Sequence, residues 1–92
     1  MMYPFMSMSD GTEVVHSDVI MNSGKEEVKV YFEKPIPGGF QSAMCLIPSY
    51  KWTEVSGYSQ NDLMALLDYL KTVAHVIIRL AREGGFENAA NL

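Results

Sequence analysis

The sequence predicts an α+β fold: an antiparallel β-meander of four to five strands packed by one long C-terminal helix. Three observations carry that expectation. Residues 60–83 place apolar side chains at helical spacing with a start signal before them and glycines after them. Ahead of that stretch the apolar period drops to two, and short glycine-bearing turns recur. The helical stretch contains neither proline nor glycine, so nothing in it breaks the element.

The strands follow in order. Tyr3 to Met8 forms the first, closed by Ser9-Asp10-Gly11-Thr12, in which Asp-Gly is a strong hairpin signal. Thr12 to Met21 forms the second, with Val15, Val19 and Met21 on one face and His16 and Asp18 on the other. Asn22-Ser23-Gly24-Lys25 turns the chain into Glu27 to Glu33, where Val28, Val30 and Phe32 alternate cleanly with Lys29, Tyr31 and Glu33. Pro35-Ile36-Pro37-Gly38-Gly39 reads as a loop, because two prolines remove ladder donors. Phe40 to Ile47 is almost wholly apolar and reads as a central strand, and Lys51 to Val55 can add a short fifth one.

Ser59 is a natural N-cap, Asp62 completes a capping box, and Tyr58 and Leu63 occupy the positions of a hydrophobic staple. Gly84-Gly85 supplies a left-handed stop, with Phe86 placed to fold back on the last turn. Leu63, Leu66, Leu67, Leu70, Val73, Ala74, Ile77 and Ala81 form the core-facing stripe. Met64, Val76, Ile78 and Leu80 widen it, leaving a narrow polar face of Asn61, Asp68, Lys71, Thr72, His75, Arg79 and Arg82. A helix of about 24 residues is roughly 36 Å long, more than a strand of ordinary length covers. The surplus apolar surface calls for a second cover, either a copy of the chain in a homodimer or a protein partner. Residues 1–86 thus form one domain, and 87–92 are expected to be a flexible tail.

Composition narrows the function. The 92 residues are 48% hydrophobic and 20% charged, as in a globular domain, with a formal net charge of -4 and no basic run. Such a charge balance is a poor match to double-stranded DNA and fits a protein partner better. Cys45 is the only cysteine, so no intramolecular disulfide forms, and a reducing cytoplasm is the expected location. No apolar run reaches the roughly 18 residues of a membrane span, and Met1 to Met8 lacks the basic start of a signal peptide.

Few residues suggest chemistry. Cys45 could act as a nucleophile only beside a base such as His16 or His75, and its apolar surroundings read instead as core. Asp68, Thr72, His75 and Arg79 could form a hydrogen-bonded row on the helix, but the preferred reading is a solvated face whose Arg79 and Arg82 complement the C-terminal dipole. His16 and Asp18 would bind a metal only with a third ligand, and no ligand motif supplies one, so neither metal nor cofactor is expected. Gly38-Gly39 leads into a strand and Gly84-Gly85 ends a helix, so neither is a phosphate loop. Tyr50, Lys51 and Trp52 are the best candidate contact residues, since aromatics amid polar residues resemble interface anchors, and for Trp52 a lid over the sheet end is an equal alternative.

From Val28 to Ala81 the order of signals resembles the HicB-like antitoxin fold. Val28 to Glu33 is similar to its first strand, Gly38-Gly39-Phe40 to its glycine-aromatic hairpin, Pro48 to the proline after its next strand, and Gly57-Tyr58-Ser59 to the turn opening its helix. The chain departs from that family in its extra front hairpin, in Pro48 to Gly57, and in showing no DNA-binding module after the helix. The resemblance implies a non-catalytic binder of a protein partner in a bacterial-type cytoplasm. Two other classes stay open: a small-ligand or single-stranded nucleic-acid binder stacking on Trp52 and Tyr50, and a thiol-dependent enzyme using Cys45.

Overall fold

The computed structural model describes residues 1–84. Six strands form: β1 (Met2–Ser7), β2 (Glu13–Ser17), β3 (Ile20–Asn22), β4 (Lys25–Ile36), β5 (Gly39–Ile47) and β6 (Lys51–Ser56). One helix, α1 (Gln60–Arg82), follows them. All pairings are antiparallel in the order β1-β2-β4-β5-β6, and the short β3 pairs with the start of β4. The fold is therefore α+β, a β-meander with one C-terminal helix. None of the described helices is long and apolar enough to cross a membrane.

Register decides which residues meet. Val14 pairs with Phe32 and His16 with Val30 across β2 and β4, while Val28, Val30 and Phe32 oppose Ile47, Cys45 and Ala43 across β4 and β5. Directly opposed residues share a face. These eight side chains therefore make one inner face, and all are buried. From α1, Leu70, Ala74, Ile77 and Ala81 close over this face. Leu66 and Val73 are half-buried and pack at its margin, in keeping with the predicted stripe.

Three local expectations need correction. The stretch from Thr12 to Met21 is two strands, because the register against β4 slips by one residue between His16↔Val30 and Ile20↔Glu27. Ser17 causes the break: its hydroxyl donates to the Asp18 carbonyl (2.7 Å) and accepts from the Lys29 amide (2.9 Å), replacing ladder bonds with side-chain bonds. A one-residue slip exchanges faces. Val14 and His16 point inward and Val15 outward, and beyond the slip Val19 is inward against the core, whereas Met21 is 67% exposed.

The segment from Pro35 to Gly39 is not a loop. Pro35 pairs with Phe40 and Ile36 with Gly39, which leaves only Pro37-Gly38 as the turn, with Gly38 at φ 83°. Proline followed by a positive-φ glycine is the residue pair of a type II turn. The pair that closes a two-residue turn is hydrogen-bonded, so Pro35 occupies the next, non-bonded pair and its nitrogen points away from β5. The β2 ladder on that side ends at Glu33, so Pro35 leaves no partner unsatisfied.

Finally, the wide apolar margin of α1 is partly interior, because Leu80 is 4% exposed. The helix ends match expectation. Ser59 Oγ accepts from the Asp62 amide (3.1 Å) and Asp62 accepts from the Ser59 amide (3.0 Å). After Glu83 the chain turns left-handed at Gly84, φ 83°. The predicted Phe86 contact and the tail lie outside the described residues.

Candidate binding surfaces

The aromatic corner is built on the β5–β6 turn, where Ile47-Pro48 is cis and Tyr50 adopts φ 58°. Trp52 pairs with Cys45, which puts it on the inner face. Its ring centroid lies 6.1 Å from that of Phe32 at 47°, within the range of favourable tilted aromatic pairs. Tyr50 also packs against the core, and Lys71 Nζ from α1 sits 5.9 Å from its ring centre. These two aromatics extend the cover beyond the reach of the helix. Lys51 differs: it pairs with Leu46 and is exposed on the opposite face of the sheet.

On α1, Met64 is 64% exposed and Val76 and Ile78 are half-buried. Leu80, expected to contact a partner, is only 4% exposed and so offers little surface. The predicted polar row does not assemble. Thr72 Oγ1 donates back to the Tyr69 carbonyl (2.6 Å), and among the described residues Asp68, His75 and Arg79 make no hydrogen bond or ion pair with one another. They stand on an exposed helix face whose neighbouring Arg82 pairs with Glu26 at 3.1 Å.

Cys45 is completely buried, and its thiol points at the Leu46 carbonyl 3.6 Å away. Burial pushes this thiol up to about 11. His16 lies two strands away with Val30 between them, and His75 is exposed on the helix. No imidazole adjoins the sulfur to draw off its proton, so the thiol form dominates near neutral pH.

His16 and Asp18 do not converge either. His16 is buried with Nδ1 2.9 Å from the Ser17 carbonyl and Nε2 without a hydrogen-bond partner. Asp18 instead accepts from the Tyr3 hydroxyl (2.6 Å) and lies 3.7 Å from the Met1 amino group. Among the described residues no three His, Cys, Asp or Glu side chains group as a metal site. A shallow cleft of about 390 Å³ lies by the β3–β4 turn, where Glu27 accepts from Asn22 (2.6 Å) and Ser49 (2.6 Å). Those donors hold the Glu27 carboxyl below its usual range.

The surface that the sequence did not single out is the outer face of the sheet. Three rows cross it. Lys29, Leu46 and Lys51 form the first. Pro4, Val15, Tyr31, Met44 and Glu54 form the second. Glu13, Glu33, Ser42 and Ser56 form the third. Pro35 and Phe40 extend it toward the hairpin tip, and Phe40 is 61% exposed.

No described element lies on the middle of this face, where Val15, Tyr31, Met44 and Leu46 remain partly open to solvent. Tyr31 donates to Glu33 (3.0 Å), and its own partial burial raises its phenol above the usual range. The sequence did hold a signal for this surface. A strand apolar on both sides, as β5 is with Ala43, Cys45 and Ile47 inward and Phe40, Met44 and Leu46 outward, fits a sheet covered twice. α1 covers it once. Comparison with protein-family models, with curated proteins and with solved structures finds no match to this chain.

Proposed function

We propose that this domain is a small non-catalytic protein-binding module whose docking surface is the outer face of its sheet. One observation carries the reading: β5 is apolar on both faces, and only the inner one is covered by α1. Apolar area of this kind rimmed by charge is characteristic of protein interaction sites. Lys51, one of the sequence-derived contact candidates, lies on this face, whereas Trp52 and Tyr50 serve the inner one. Met64, the other exposed apolar candidate, stands on the helix and is not part of this docking surface. The resemblance over residues 28–81 supports a narrower form, an antitoxin-like inhibitor or regulator of a protein partner in a cytoplasm of bacterial type. A lone, buried cysteine supports that location.

The test compares two substitutions of similar chemistry on opposite sides of the domain. Met44→Arg places a charge in the middle of the outer face, and Met64→Arg places one on the helix. Wild type and both variants, affinity-tagged and expressed in the native host, are purified and their stoichiometric companions identified. The reading expects the companion to be lost with Met44→Arg and retained with Met64→Arg. Retention with Met44→Arg, with circular dichroism showing all three proteins folded, refutes it.

A further inference from the structure

We propose that a second copy of this chain occupies the outer sheet face, docked about a two-fold axis that runs across the strands along the row Val15, Tyr31, Met44. This deepens the protein-binding reading and rests on it. The argument comes from the order of charge along the strands. On one side of the apolar row stand Lys29 and Lys51; on the other stand Glu13 and Glu33. Lys29 and Glu33 are four residues apart on β4, roughly 13 Å at about 3.3 Å per residue.

Two sheets meeting face to face can be related by a two-fold axis lying between them, either along the strands or across them. An axis along the strands keeps each row opposite itself, so lysines approach lysines and glutamates approach glutamates. An axis across the strands inverts the order. Lys29 then faces the partner's Glu33, Glu33 faces the partner's Lys29, and Tyr31 and Met44 meet their own copies in the centre. Only the second arrangement opposes lysine to glutamate and apolar residue to apolar residue; its one like-charge contact is Glu54, at the β6 end of the central row, against its own copy. Lys29 is exposed and has no ion-pair partner among the described residues, so it is available for this role.

The size of the face suits the same occupant. Five strands at about 4.8 Å and rows spanning roughly 20 Å give on the order of 500 Å² per copy, or about 1,000 Å² for the pair. That is the lower end for a specific association, so the dimer is reversible and concentration-dependent. Aligned sheet packing, with the layers about 10 Å apart, leaves room for the Tyr31 and Met44 side chains to interdigitate.

Sedimentation velocity on the full chain from about 1 to 500 µM tests this. The expected result is a monomer–dimer equilibrium whose midpoint rises by about tenfold or more in Lys29→Glu, which sets like charges against each other twice. In the double variant Lys29→Glu/Glu33→Lys the pair is restored with its polarity exchanged, and the midpoint returns to within about threefold of wild type. A monomer at every concentration overturns the proposal. So does a dimer indifferent to both Lys29→Glu and Tyr31→Glu, since its contact lies elsewhere. The wider reading is judged separately: a monomeric chain whose native companion is lost in Met44→Arg keeps the protein-binding function and removes only the self-association, whereas a companion indifferent to Met44→Arg removes the reading of this face as the companion's dock and leaves the self-association to be decided by sedimentation.

Discussion

Replacing Ile77 by alanine measures how firmly the helix is held on the sheet. Ile77 is 0% exposed and lies in the cluster formed by Val14, Val28, Val30 and Phe32 with Leu70 and Ala74. The substitution removes three carbons from a site closed by strand side chains below and helix side chains beside it. Such truncations cost about 2–5 kcal/mol, the larger values where the surroundings cannot collapse. The β-branched valines lining the site have little rotamer freedom with which to fill it, so about 3 kcal/mol is expected. A domain of this size has a total stability on the order of 5–14 kcal/mol. The variant therefore loses a substantial share, and its midpoint of thermal unfolding falls by roughly 12–24 °C. Urea unfolding at a few micromolar, followed by helix circular dichroism and by Trp52 fluorescence, reads both layers at once. Low concentration keeps self-association from adding stability. Met64→Ala, on a residue 64% exposed, serves as control and should change stability by no more than about 0.5 kcal/mol. A loss below about 1 kcal/mol for Ile77→Ala, or separate transitions for the two probes, would refute the packing described above.

Two further predictions concern titration. Cys45 is raised to about 11 from an ordinary value of 9.0, so the unfolded chain releases its thiol proton before the folded one does. Its contribution is fully present below pH 9.0 and is lost as pH rises toward about 11, with about 2–3 kcal/mol at stake in wild type. Urea titrations from pH 8 to 11 should show this loss reduced in Cys45→Ala, and equal slopes would contradict it. Glu27 is shifted the other way, below its ordinary value of 4.5, by hydrogen bonds from Ser49 and Asn22. Its contribution is present above pH 4.5 and lost as pH falls through the depressed value. Ser49→Ala should flatten the acid limb of stability against pH between about 3 and 6, and an unchanged limb would remove the role assigned to that hydrogen bond.

The parts of this fold legible in the sequence are those where local and tertiary signals agree. Ser59 and Asp62 mark the helix start by contacts within one turn, so the capping box needs nothing from the rest of the chain. The alternation of Val28, Val30 and Phe32 is readable because β4 keeps one register against β5 along all three, and Val30 and Phe32 are paired with β2 as well. The failures lie where a single residue changes the rule. Ser17 diverts two ladder bonds, and every parity argument carried across it inverts, which is why Val15 and Val19 read as one face although Val15 points outward and Val19 inward. Pro35 was read as a breaker because a proline's tolerance depends on which strand is absent beside it, and that is a property of the sheet rather than the sequence. Trp52 reads from the sequence equally as a partner anchor and as a lid, and its ring lies against Phe32; spacing alone does not choose between them, since adjacency across three strands cannot be read from it.

The two free edges of the sheet favour the face as the route to association. β1 has Pro4, which cannot donate, and its pairing with β2 is broken between Pro4 and Met6. β6 carries Lys51 and Glu54, and its pairing with β5 is broken between Met44 and Cys45. Proline, charge and irregular register are the devices by which natural sheets prevent strand addition at their edges. Here both edges carry at least two of them. The middle of the outer face carries none, because Val15, Tyr31 and Met44 lie side by side where β2, β4 and β5 pair with one another in unbroken register. A chain that guards its edges but leaves an apolar row open between a basic and an acidic one directs association onto that row. The same order of charge then sets the orientation of whatever docks there, since a partner turned end for end would bring like charges together.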